Sequence, residues 1–303
     1  MSDITVTQDK TGDGIAPGAA PGSSTAGPGT EGRDGGPDGG LAMGPLEAQL
    51  RAKREAGQKL LLPYVTGGYP VADWPQLIEG FASVGADAIE IGIPFSDPVM
   101  DGPTIQEAST LALDAGIDPA AVLDKVSAVE VDIPLIAMTY YNICFRMGHR
   151  RYANALKEAG LDAAILPDLP LEEVEPWARA ADHVGVETVL LAAPTAPDER
   201  LPQICARSRG FVYGVGLVGI TGERAELASS ALDMARRLKA VTDLPVIIGI
   251  GVSNPEQAAE VAEVADGVVV ASAIIRRMLD GGSVDDAIDF VADLRAGLDR
   301  AAG

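Results

Sequence analysis

Two acidic residues that can exchange protons with a substrate lie close together in the chain, at Glu90 and Asp101. In the segment ADAIEIGIPFSDP, isoleucines alternate with Ala88, Glu90 and Gly92, so a strand here puts Glu90 on the face opposite the isoleucines. If the isoleucines meet surrounding helices, Glu90 points inside the sheet, where a charged carboxylate is costly to bury. A carboxyl group held near neutrality is suited to transferring protons near pH 7. The alternative is a solvated or salt-bridged glutamate.

The second acid, Asp101, follows the same predicted strand in the segment FSDPVMDGPTIQ. Proline and glycine residues around it make a rigid turn. In a barrel of parallel strands, the loops that follow the strands open onto the catalytic face. Asp97 shares this loop, and spacing alone favours a turn-capping role for either aspartate as much as a catalytic one.

The elements that must position these acids alternate between short apolar runs and amphipathic, helix-like segments such as 73–84, 118–129 and 226–240. Near-continuous apolar strands that alternate with helices are typical of a parallel sheet covered on its outside. Eight such units in about 260 residues predict an α/β fold of the (β/α)8 TIM-barrel type. A doubly wound open sheet is the alternative, but no GxGxxG fingerprint follows the first run. The eight predicted strands are 60–66, 87–94, 133–140, 161–168, 186–194, 210–216, 244–251 and 266–272.

The chain divides into a leader and one catalytic domain. Residues 1–43 are rich in Gly, Pro, Ser and Thr and predict a disordered leader, with a partner-binding tail as the alternative. Residues 44–303 form the predicted barrel domain, with an extra helix before the first strand at 45–56 and another after the last at 283–299.

The composition excludes several classes of function. A net charge of −21 repels nucleic acid and anionic membranes. Any phosphate must therefore be held by local geometry. With no run of about 18 apolar residues and no secretory signal pattern, we expect a cytoplasmic protein. Two cysteines, Cys144 and Cys205, and two histidines, His149 and His183, share no metal-binding spacing, so no metal site is expected.

The ends of the last three predicted strands carry small residues suited to a phosphate site. They are GITG (219–222), GIGVS (249–253) and ASAIIRRM (271–278), of which the last predicts a short helix. Barrels often hold phosphate between their last loops and the N-terminus of a small helix, where backbone N–H groups and the helix dipole favour an anion.

Together these segments resemble a known family. IEIGIPFSDPVMDGPTIQ is similar to the signature of the tryptophan synthase alpha subunit, and PYVTGGYP, TYYN, PDLP, APTAPDER, GITG, IGIGVS and ASAI match its other blocks in order, over about residues 45–280. The resemblance implies a lyase of tryptophan biosynthesis that splits indole-3-glycerol phosphate by a retro-aldol reaction into indole and glyceraldehyde 3-phosphate. It also implies a beta-subunit partner in a heterotetramer (alpha2beta2), no cofactor on this chain, and pyridoxal phosphate only in the partner.

The resemblance assigns a role to each matching residue. Glu90 matches the general acid/base that protonates the indole ring carbon, and Asp101 the carboxylate that receives the indole N–H. Tyr213 matches a tyrosine near the glycerol chain, with an ordinary core aromatic as the alternative. The expected substrate-binding residues are Gly222, Gly251, Ala271 and Ser272 around the phosphate, together with Tyr64, Thr66, Asn142 and Thr221.

Besides Ala271, which replaces a common glycine but keeps its backbone N–H, four positions depart from the usual family pattern: Gly216 and Leu217 in the strand 6 loop, Tyr69 in the loop after strand 1, and Ile143 after TYYN. The last two lie where relatives communicate with the beta subunit. A stand-alone lyase that releases free indole therefore remains an alternative, as do a catalytically idle barrel that activates a beta subunit and a different phosphate-binding barrel enzyme.

Overall fold

The computed structural model describes residues 42–216, 224–249 and 251–302. Eight parallel strands close into a barrel in sequence order, and β8 pairs with β1. The TIM-barrel prediction is confirmed. The strands are β1 (Leu60–Thr66), β2 (Ile89–Gly92), β3 (Leu135–Met138), β4 (Ala163–Ile165), β5 (Glu187–Ala192), β6 (Val212–Val215), β7 (Val246–Gly249) and β8 (Gly267–Val270).

Helices surround the barrel, and their sequences contain the expected start signals. Proline occupies the first turn of several of them, where its missing N–H costs nothing. The helices are α1 (Pro45–Glu55), α2 (Trp74–Ser83), α3 (Pro103–Asp114), α4 (Pro119–Val126), α5 (Tyr141–Met147), α6 (His149–Glu158), α7 (Glu175–Val184), α8 (Leu201–Arg207), α9 (Arg224–Lys239), α10 (Pro255–Ala262), α11 (Ser272–Leu279) and α12 (Val284–Ala302).

Alternation along each strand separates two apolar layers. In β1, Leu60 and Leu62 belong to the cluster that fills the barrel, whereas Leu61 and Val65 pack in the layer between sheet and helices. Burial of both faces explains why the strands read as continuous apolar runs.

Helix α1 closes the amino-terminal end of the barrel, as Leu46 and Leu50 pack in the interior cluster. Gly44 at its N-cap has no side chain to accept the first free N–H groups. The buried Glu187 carboxylate of β5 accepts them instead, from Leu46 N at 2.8 Å and Glu47 N at 3.2 Å. The extra helix predicted at 45–56 is therefore present and held by a cap that is distant in sequence.

The strands are shorter than the apolar runs that predicted them. The third run, 133–140, forms a strand only at 135–138, and helix α5 begins at Tyr141. Residues 139 and 140 are buried without being part of the strand, because they lie over the end of the barrel. The predicted leader lies outside the described residues apart from 42 and 43, so it and the domain boundary stay predictions.

Candidate active site

Glu90 points into the barrel. Its side chain is 1% exposed, and it pairs with Tyr64 on β1 and Ile136 on β3. Ile89 and Ile91 pack in the outer layer against the helices, on the opposite face of β2. The orientation predicted from the alternation is confirmed.

Burial raises the pKa of Glu90 to about 8, so the carboxyl group is mainly protonated at neutral pH. Within the described part of the chain, its Oε1 atom has no hydrogen-bond partner. Other buried acids differ. The Asp87 carboxylate accepts hydrogen bonds from Lys53 Nζ at 2.6 Å and from Leu61 N at 2.7 Å. The Asp266 carboxylate accepts one from Lys239 Nζ at 2.6 Å. Those aspartates serve structural networks, whereas Glu90 keeps a free oxygen.

Tyr64 lies beside both acids of the site. Burial raises the pKa of Tyr64 strongly, and the nearby Asp101 and Glu90 carboxyls raise it further, so the phenol stays protonated. Its hydroxyl lies against Gly92, where any Cβ atom would overlap it. The glycine of the IEIGIP segment therefore makes room for the Tyr64 ring inside the barrel.

Asp101 lies in the loop between β2 and α3, at the carboxyl end of the barrel. Burial raises the pKa of its carboxyl, and a hydrogen bond from Tyr140 acts in the opposite direction. The Tyr140 hydroxyl also accepts hydrogen bonds from Met100 N at 2.8 Å and Asp101 N at 3.1 Å. The ring of Tyr140 stacks on that of Phe95, with ring centroids 5.2 Å apart.

A pocket at this end of the barrel is lined by aromatic, polar and acidic groups. Tyr64 and Asp101 share it, and Tyr64 is the strand partner of Glu90. The lining residues are Tyr64, Gly92, Ile93, Phe95, Asp101, Ser109, Met138, Thr139, Tyr140 and Pro167. The pocket thus combines aromatic side chains with one acid, and the second acid lies on the neighbouring strand opposite Tyr64.

Tyr213 on β6 also faces the interior. It packs in the interior cluster, and its hydroxyl lies where a Cβ atom on Gly249 would be 2.5 Å away. Burial raises its pKa, with smaller contributions from Glu90 and Tyr64, so the three side chains are neighbours.

The residues expected around a phosphate follow the last two strands. Gly251, after β7, is exposed and has a φ of 74°, a backbone conformation that favours glycine. Ala271 is the N-cap of α11 and Ser272 its first residue, and both are half-buried. The short helix predicted here is present, with N–H groups at its open end. Gly222 and Thr221 lie outside the described residues.

Comparison with known proteins supplies the family. The sequence model of the family described as "Tryptophan synthase alpha chain" matches residues 50–296. The chain belongs to this family. It is 42% identical to the tryptophan synthase alpha chain of Thermobifida fusca, over 85% of this chain and 98% of that protein, and 42% identical to that of Streptomyces coelicolor, over 84% and 94%.

Solved structures agree with this tryptophan synthase alpha chain membership. A structure of Mycobacterium tuberculosis tryptophan synthase superposes with a TM-score of 0.79 at 34% identity, covering 85% of this chain and 99% of that one. The tryptophan synthase subunit alpha of Legionella pneumophila gives a TM-score of 0.77 at 32% identity, covering 86% and 100%.

Two other residues that the tryptophan synthase alpha resemblance assigns to substrate differ in position. Thr66, at the end of β1, is fully buried and pairs with Gly92. Asn142 is exposed on the first turn of α5 and does not line the pocket. The structure thus groups Thr66 with the acids and leaves Asn142 apart.

Tyr140 and Phe95 are pocket residues that the sequence analysis did not assign. Both lie inside segments that were recognised as tryptophan synthase alpha blocks, TYYN and FSDP. Their aromatic type beside a strand end was the only available signal, and it does not distinguish Tyr140 from the adjacent Tyr141. In the structure Tyr141 points elsewhere, and its hydroxyl shares a hydrogen bond of 2.8 Å with His149 Nε2.

Three of the four departures from the tryptophan synthase alpha pattern lie in the described part of the chain. Tyr69 and Ile143 are partly buried against the outer apolar layer, and Gly216 N donates to Gly249 O at 3.0 Å. Leu217 lies outside the described residues. Over those described, there is no cluster of three His, Cys, Asp or Glu side chains with metal-binding geometry, and no helix is long and apolar enough to cross a membrane.

Proposed function

We propose that Glu90 and Asp101 are the two catalytic carboxyl groups with which this lyase cleaves indole-3-glycerol phosphate. Cleavage of that substrate in tryptophan biosynthesis is the reaction of the tryptophan synthase alpha chain family. The observation that supports the residue assignment is a carboxyl buried in the barrel, with one oxygen unpaired among the described residues, opposite a tyrosine that shares a pocket with a second acid.

Glu90 serves as the acid and then as the base. Its carboxyl begins protonated and gives its proton to the indole carbon that bears the side chain. The resulting carboxylate takes the proton of the neighbouring side-chain hydroxyl as the carbon–carbon bond breaks. The bonding electrons return to the indole ring, an aldehyde forms, and Glu90 regains its proton.

Asp101 stabilises the charge that this protonation creates. When the ring carbon gains a proton, positive charge develops on the indole nitrogen. A fixed carboxylate that accepts the indole N–H lowers the energy of that state more than it lowers the energy of the neutral substrate. The aromatic rings of Tyr64 and Phe95 line the pocket with Asp101 and contact the indole ring in this proposal.

We assign the phosphate to the carboxyl ends of β7 and β8. Ser272 supplies a hydroxyl and, with Ala273, N–H groups at the start of α11, while Gly251 allows close approach of the backbone. Gly222 and Thr221 complete the site in this proposal. Tyr213, on β6 next to β7, contacts the glycerol chain in this proposal.

A beta-subunit partner fits the surface around the mouth. Val71, Val99, Met100 and Phe145 are 59%, 78%, 53% and 65% exposed, and they follow β1, β2 and β3 at one end of the barrel. Large exposed apolar side chains gathered on one face are typical of a protein interface. We propose a heterotetramer in which pyridoxal phosphate belongs to the partner and this chain needs no cofactor. The unpaired, buried Cys144 and Cys205 suit the reducing cytoplasm, where we place the enzyme.

Turnover of indole-3-glycerol phosphate, followed as indole release with and without a tryptophan synthase beta subunit, tests this function. Turnover that needs the partner supports the conventional alpha subunit. Strong turnover without the beta subunit supports a stand-alone lyase, which is the alternative that the departures at Tyr69 and Ile143 indicate. Stimulation of the beta subunit with no indole release in either mixture would leave an idle activator and contradict the proposed chemistry.

A further inference from the structure

We propose that Tyr140 is a positioning residue for Asp101. Its hydroxyl fixes the backbone of the loop that carries Asp101 and donates the hydrogen bond that orients the Asp101 carboxylate towards the pocket. The inference rests on the proposed function, since it concerns how one of the two acids is held.

The hydrogen bonds of the Tyr140 hydroxyl determine where its proton points. A phenol oxygen has one proton to donate and two lone pairs that accept. Met100 N donates to it at 2.8 Å and Asp101 N at 3.1 Å. With both acceptor positions used, the proton is free for a third partner, and the facing acceptor is the Asp101 side chain.

The Tyr140 ring is held from a rigid element. Tyr140 follows β3 by two residues, and the intervening Thr139 donates its hydroxyl to Ile93 O at 3.2 Å, which joins the ends of β2 and β3. Phe95 stacks on the ring with an interplanar angle of 28°. The backbone of Tyr140 is thus fixed at the end of the barrel, and its ring also packs on Phe95 of the loop that carries Asp101.

The loop itself has few other anchors. The side chains of Val99 and Met100 are exposed, so they do not anchor the loop in the apolar core. Gln106 Nε2 donates to Asp101 O at 2.7 Å, which holds the carbonyl but leaves the side chain free to rotate. Among the described residues, Tyr140 is the group that constrains both the Asp101 backbone and its carboxylate.

This constraint has a chemical consequence as well as a geometric one. The titratable groups that face Asp101 are the hydroxyls of Tyr64 and Tyr140, with Glu90 beyond Tyr64. A hydrogen bond donated to a carboxylate favours its ionised form, which is the form that accepts an indole N–H. Removal of the donor therefore raises the pKa of Asp101.

The test compares Tyr140→Phe with Tyr141→Phe, the adjacent tyrosine whose hydroxyl bonds His149, with a tryptophan synthase beta subunit present. Tyr140→Phe keeps the ring and its stacking on Phe95. We expect kcat to fall about tenfold to a hundredfold, the range for a lost hydrogen bond to a charged group, with little change in KM. The acidic limb of the pH profile moves to higher pH, while Tyr141→Phe resembles the wild type.

An Asp101→Asn background separates positioning from packing. If Tyr140 acts through Asp101, the Tyr140→Phe change has little further effect on the residual rate of Asp101→Asn. A wild-type kcat and pH profile for Tyr140→Phe would overturn the proposal, as would unfolding of that variant at the assay temperature or an undiminished loss in the Asp101→Asn background. Wild-type protein that releases no indole would instead count against the proposed function.

Discussion

Tyr64 on β1 pairs with Glu90 on β2, and the carboxyl groups of both Glu90 and Asp101 are near enough to raise the pKa of the Tyr64 hydroxyl. A protonated phenol thus lies next to two acids with different surroundings. Among the described residues none donates a hydrogen bond to Glu90 Oε1, whereas the Asp101 carboxyl receives a hydrogen bond from Tyr140. Burial raises the pKa of both carboxyl groups, but only at Asp101 does a hydrogen bond oppose that rise, which is the difference between the two acids that the proposed cleavage needs.

The rate should depend on pH through Glu90. Because the reaction begins with Glu90 protonated, and burial raises its pKa to about 8, we expect kcat to be retained up to neutral pH and to fall as pH rises through about 8. Stopped-flow or steady-state indole release between pH 6 and 10 measures this. A rate that keeps rising tenfold per unit above pH 9 would show that the ionised carboxylate begins the reaction.

Replacement of Glu90 by glutamine should stabilise the fold. Burial raises the pKa of the Glu90 carboxyl from the ordinary 4.5 of a glutamate to about 8, so folding at pH 7 requires the carboxyl to take up a proton, which lowers the stability of the fold. Below the pKa of the unfolded state, Glu90 is protonated in both states and does not reduce the free energy of unfolding. As pH rises from there towards the pKa of the folded state, the free energy of unfolding falls, because only the folded state keeps the proton. At about 1.4 kcal/mol per pH unit, we expect Glu90→Gln to gain up to about 3 kcal/mol at pH 7 and little at pH 4.

Urea unfolding at the two pH values checks this prediction. A stability gain that is equal at pH 4 and pH 7 would assign the effect to packing. A loss at pH 7 would indicate that the native carboxyl makes favourable interactions as an anion.

Gly92→Ala should disturb the site from within the barrel. The added methyl group overlaps the Tyr64 hydroxyl and ring, so Tyr64 must move. We expect a loss of about 1–3 kcal/mol in the free energy of unfolding and a marked loss of indole release. Gly102→Ala is the control, because a Cβ there meets nothing within 4 Å and its φ of −72° suits alanine. Equal behaviour of the two variants would contradict the proposed crowding.

The cap of helix α1 by Glu187 should contribute measurably to stability. Glu187→Ala leaves the buried N–H groups of Leu46 and Glu47 without their acceptor. We expect a loss of about 1–3 kcal/mol, seen as a lower urea midpoint, with smaller losses for Glu187→Gln. Glu172→Ala removes an exposed glutamate that pairs with Arg200 and serves as the control. Indistinguishable midpoints for the Glu187 and Glu172 variants would show that water replaces the cap.

Strand alternation and family blocks predicted much of this architecture, for physical reasons that individual residues illustrate. The isoleucines around Glu90 define a period of two, and that period alone fixes which face enters the barrel. The apolar run 133–140 overestimated the length of its strand because Thr139 and Tyr140 are also buried, although β3 ends at Met138.

Other features depend on contacts between residues that are far apart in the chain. The bond between Tyr140 and the Asp101 loop spans about 40 residues, and the Glu187 cap of α1 spans about 140. No local pattern encodes either of them. The exposed position of Asn142 depends on where β3 ends, which the apolar run 133–140 does not show.

The proposed cleavage depends above all on proton transfer by the buried carboxyl of Glu90. Single-turnover cleavage of indole-3-glycerol phosphate by Glu90→Gln, with a tryptophan synthase beta subunit present and binding confirmed separately, tests it most directly. Glutamine keeps the shape of the side chain but cannot exchange the proton, so we predict a rate at least about a hundredfold below wild type with substrate affinity retained. A Glu90→Gln variant that cleaves at the wild-type rate would contradict the account.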